Sequence, residues 1–67
     1  MSWRAGADLF RDIHPLIEKH VKNDEFRYEF VRDLIRFFMS CDMDGCDLRR
    51  VHPEIEKALD ELQVSKG

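Results

Sequence analysis

Apolar residues recur at three- and four-residue spacing along most of the chain, and no segment alternates with period two. The pattern predicts an all-α fold: a small bundle of three to four helices around a central helix at about 24–41. That stretch, DEFRYEFVRDLIRFFMSC, holds five of the seven aromatic residues. On a helical wheel Phe26, Phe37, Phe30, Cys41, Leu34, Phe38, Val31, Ile35, Tyr28 and Met39 form one arc of roughly 220°, interrupted only by Arg27. An ordinary surface helix needs an apolar stripe of roughly 100°. A helix this apolar must be covered from two sides: either it runs through the middle of its own domain, or part of it faces a second molecule.

The central helix has a clear start and stop. Asn23 or Asp24 can accept from the orphan N–H groups of the first turn, where Asp24 and Glu25 also meet the positive end of the helix dipole. Cys41-Asp42-Met43-Asp44-Gly45 ends it in an Asp-Gly turn signal. Upstream, Ser2 is expected to cap a helix opening at Trp3, past a small-residue turn at Ala5-Gly6-Ala7. Leu9, Phe10, Ile13, Leu16, Ile17 and Val21 then carry the apolar face. Pro15 lies inside this run, and its ring clashes with the carbonyl four residues back. Two short helices, 3–13 and 15–22, are therefore expected. Downstream, Asp47 is expected to cap a single turn. Pro53 starts a last helix with Val51, Ile55, Ala58, Leu59 and Leu62 on one face, and 64–67 reads as a polar tail.

A faint repeat relates two segments. A β-branched residue followed by His-Pro-x-Ile-Glu-Lys occurs at His14 and again at His52, 38 positions apart. The physical reading is a reused helix start, with His in the cap region and Pro setting the first helical φ.

At this length a chain usually needs a staple, a metal, a partner or very good helix packing. Sixty-seven residues make a single helical domain, 1–67, and such a chain buries only about 60% of the surface its unfolded form exposes. Charged residues are 37% of the chain, mixed in sign, with a net charge of −3. That balance disfavours nucleic acid and anionic membrane as partners. No leader-like pattern and no apolar run near 18 residues is present, so a small acidic cytoplasmic protein with two free thiols is expected, without membrane attachment.

Four constellations bear on chemistry. Cys41, Cys46 and His52, with Asp42, Asp44 and Asp47, carry zinc-ligating groups, but four residues separate the cysteines, five precede the histidine, and no CxxC is present. The plain reading is a buried Cys41, a turn Cys46 and a capping His52, so no metal is expected. Asp42 to Asp47 faintly resembles a calcium loop. With Gly45 at its sixth position, Ser40 would stand at the first and Val51 at the twelfth, and neither serves as a ligand there. A helix-turn-helix would need a basic recognition face. The central helix instead mixes Glu25, Glu29 and Asp33 with Arg32 and Arg36. Finally, His14, His20 and His52 and Ser2, Ser40 and Ser65 form no nucleophile–base arrangement, and acids beside the cysteines disfavour a thiolate. No catalytic residue and no cofactor is expected.

The resulting expectation is a non-enzymatic protein-interaction or regulatory module. It would be homodimeric through the central helix, with Tyr28, Val31, Ile35, Phe38 and Met39 as the interface edge. The alternative is a helix-turn-helix-like nucleic-acid-binding regulator.

Overall fold

The computed structural model describes residues 3–64, and these form helices and turns with no strand. α1 spans Arg4–His20, α2 spans Asp24–Ser40 and α3 spans Pro53–Glu61, with one 3-10 turn at Gly45–Leu48 between α2 and α3. This is the all-α bundle of three to four helices expected, here three α-helices and the 3-10 turn.

Local chemistry accounts for the element boundaries. The Asn23 side chain caps α2 by accepting from the Phe26 N–H at 3.0 Å. α2 closes with the Met43 N–H on the Phe38 carbonyl and the Asp42 N–H on that of Met39, while Asp42 takes a left-handed φ of 73°. α3 closes the same way. Val64 N–H bonds the Leu59 carbonyl, Gln63 N–H bonds that of Asp60, and Gln63 has φ 60°. Both are Schellman motifs in which Asp and Gln stand where glycine is the usual residue. His52 caps α3 through Nδ1, which accepts from the Glu54 N–H at 3.1 Å, and Pro53 takes the first turn as expected.

Several elements differ from the expectation. α1 runs unbroken through Pro15. The proline removes one backbone bond, but Arg11 and Pro15 are both exposed, so water can serve the freed Arg11 carbonyl and the apolar face on either side still packs. His14 is thus a mid-helix residue, not a cap, and only the second His-Pro pair is a helix start. The 3-10 turn is capped by Asp44, whose carboxylate accepts from the Cys46 N–H at 3.2 Å, and not by Asp47. Val64 is folded back rather than frayed. Ser2 and 65–67 lie outside the described residues.

The core forms where the three helices and the turn meet. Phe10, Val31, Ile35, Leu48, Ile55 and Leu59 are fully buried. Trp3 N–H bonds the Asp42 carbonyl at 2.6 Å, so the start of α1 is tied to the end of α2 and the two run antiparallel. The Trp3 indole folds back over Gly6, and a Cβ there would overlap it. Phe38 then receives Trp3 at 5.5 Å and the edge of Phe10 at 5.4 Å between ring centroids. The Cα radius of gyration is 11.0 Å, close to the value of about 11 Å that packing predicts for this length.

Candidate functional site: the outer face of α2 and the paired histidines

α2 uses the two halves of its apolar arc differently. Val31, Ile35 and Phe38 are buried inside the chain, at 0%, 0% and 7% exposure. Tyr28 and Met39 pack against the same core. Tyr28 is held there by α3: its hydroxyl donates to the Glu61 carboxylate, and the Lys57 ammonium lies 4.8 Å from the ring centroid. The edge expected to face a partner is therefore the edge that α1 and α3 cover. The opposite edge is bare. Phe26, Phe30 and Phe37 are 66%, 47% and 62% exposed. The free Cys41 is exposed beside them rather than buried. The arc alone has no origin on the wheel, so its pattern requires two covers without saying which edge each takes.

α1 also has two different flanks. The α1 flank carrying Arg11, Pro15 and Glu18 opens onto the turn after Leu48. The other flank carries Leu9, Ile13 and Leu16, of which Ile13, like Leu34 of α2, packs against the core. Leu9 and Leu16 remain 46% and 56% exposed. Large apolar side chains are thus exposed on both α1 and α2.

The second feature lies on the far flank of α1. His14 is 2% exposed, and its ring centroid is 4.6 Å from that of His52. His14 Nε2 lies 3.0 Å from Glu54 Oε1, and a carboxylate only accepts, so Nε2 carries the proton. Glu54 is held in turn by Arg27 Nε at 2.9 Å. Glu18 faces both histidines, with Oε1 3.6 Å from His14 Nδ1 and Oε2 3.2 Å from His52 Nε2. An open cleft of about 480 Å³ fronts the group, lined by Arg11, His14, Pro15, Glu18, Arg49, Arg50, Val51 and His52.

The expected cysteine cluster does not assemble. Among the described residues, the close grouping of metal-ligating side chains is His14, Glu18 and His52, without Cys41 or Cys46. The Cys46 thiol is pushed up, first by its hydrogen bond to Asp44 and then by burial, so it is a poor thiolate. Sequence reasoning missed Glu18 and Glu54. The signal available was the His-Pro-x-Ile-Glu-Lys repeat, whose two histidines and first glutamate meet here.

Much of the basic charge is already engaged. Arg27 pairs with Asp24 and Glu54, Arg32 with Glu61, and Arg49 with Glu56 and Asp60, all between 2.7 and 2.9 Å. Burial, then the Glu61 hydrogen bond, push the Tyr28 phenol up to about 12. Among the described residues no helix is long and apolar enough to cross a membrane. Comparison with protein-family models, curated proteins and solved structures gave no match.

Proposed function

We propose that the chain is a small non-enzymatic interaction module that self-associates through the outer face of α2, with Phe26, Phe30 and Phe37 at the centre of the contact. The observation that carries this reading is the exposure of those three phenylalanines on the face opposite the core. A second copy of the chain is the occupant that the charge pattern favours. In an antiparallel pair of α2 helices centred between Val31 and Arg32, Phe26 meets the second copy's Phe37. Glu25 and Glu29, on one rim, then lie within a turn of the second copy's Arg36. Arg36 is exposed and makes no ion pair among the described residues.

The setting proposed is cytoplasmic, where two thiols remain free. Engagement of Arg27, Arg32 and Arg49 by carboxylates, together with the net charge of −3, weighs against the nucleic-acid alternative. The test is a charge swap. Glu29→Arg and Arg36→Glu should each weaken self-association, and the double variant should restore it. Equal association in all three variants would exclude the antiparallel contact.

A further inference from the structure

We infer that His14, Glu18 and His52 form a binding site for a divalent transition-metal ion of the zinc type, separate from the α2 face. One ligand atom from each residue already lies within 4.8 Å of the other two. Tetrahedral zinc with bonds of about 2.0–2.1 Å sets its ligand atoms about 3.4 Å apart, so closure asks for movements of about 1 Å. His14 and Glu18 are one helical turn apart on α1 and share a face. His52 reaches them from the residue that begins α3.

The surroundings supply what a metal site needs beyond its ligands. The Glu54 carboxylate accepts a hydrogen bond from the His14 Nε2–H, which leaves the Nδ1 lone pair facing Glu18. Arg27 fixes Glu54 in place. Two histidines and one carboxylate leave a fourth position, and the cleft in front of them is open to fill it. Arg11 and Arg50 on the cleft wall favour an anion in that position.

Binding has a structural consequence at α3. In the metal-free chain His52 Nδ1 accepts from the Glu54 N–H, so a neutral ring carries its proton on Nε2 and points it at Glu18. Coordination needs the Nε2 lone pair, so the ring must carry its proton on Nδ1 instead. No proton is lost, but the acceptor that capped α3 is gone. Binding therefore removes the cap, and the start of α3 reports the arrival of the ion.

The test is calorimetric titration of zinc chloride into the full chain carrying Cys41→Ser and Cys46→Ser, so that thiols contribute nothing. One ion per chain is expected. Loss of an outer partner of a metal ligand costs about 10- to 100-fold in affinity, so His52→Asn and Glu18→Gln should each weaken binding by at least about 30-fold. Asparagine at 52 keeps a capping oxygen, so that variant stays folded without metal. Zinc should also speed hydrogen exchange at the Glu54 amide of the cysteine-free chain. Zinc binding of unchanged strength in His52→Asn, or no stoichiometric binding at all, would overturn the assignment.

Discussion

His14 and His52 stand 38 positions apart in the chain and 4.6 Å apart between ring centroids, yet they do different local work. His14 is a buried mid-helix side chain that donates to Glu54, whereas His52 is an N-cap that accepts from the Glu54 backbone. Glu54 thus ties the two histidines together through side chain and main chain at once. The join of α1 to α3 rests on this group as well as on apolar packing.

The cap at His52 should be measurable by itself. His52→Ala leaves the Glu54 N–H without its acceptor and should cost about 1 kcal/mol in urea unfolding. His52→Asn should recover most of that loss. If alanine and asparagine unfold at the same midpoint, the cap contributes nothing.

The two faces of α2 should respond oppositely to truncation. Ile35 is fully buried, so Ile35→Ala should cost about 2–5 kcal/mol, a large share of the stability of a domain this small. Phe37 is 62% exposed, and Phe37→Ser should leave the helicity of the dilute chain unchanged, with a stability change within about 0.5 kcal/mol. Circular dichroism during urea titration separates the two.

Gln63 holds a left-handed φ of 60° at the end of α3. An L side chain pays for that conformation, and glycine does not. Gln63→Gly should therefore stabilise the chain by about 0.5–1 kcal/mol, net of the extra freedom glycine gives the unfolded state. A lower unfolding midpoint for the variant would mean that the Gln63 side chain makes a compensating contact.

Acid should weaken the α3 ion pairs in a defined direction. The Arg50 N–H, then the Arg49 guanidinium, hold the Glu56 carboxyl below its usual range, and the Tyr28 hydroxyl does most of the same for Glu61. A carboxyl with a lowered folded-state pKa adds stability above the unfolded value, and that stability is lost as pH falls through the folded one. Urea midpoints should therefore fall as pH drops below the ordinary carboxylate range. Glu56→Gln should flatten that fall. A variant as steep as the parent would assign the acid loss to other groups.

How much of this was legible in the chain follows from the range of each interaction. The Asn23 cap, the Asp24–Ser40 helix and the His52-Pro53 start are set by neighbours within a turn, and the residue pattern shows them. The continuity of α1 through Pro15 was not legible, because packing on both sides of the proline outweighs one lost backbone bond. The outward edge of α2 was hidden for a related reason. Phe26 and Phe37 look as core-like as Ile35 until α1 and α3 are placed. The His14–Glu18–His52 group needs residues brought together across 38 positions, and only the faint repeat hinted at it.

Sedimentation equilibrium across a wide dilution range, on the parent chain and on Phe37→Glu, tests the central claim most directly. The parent should fit a monomer–dimer equilibrium, and Phe37→Glu should be a folded monomer at every concentration. A parent that is monomeric throughout, or a Phe37→Glu variant that dimerises as well as the parent, would contradict self-association through the outer face of α2.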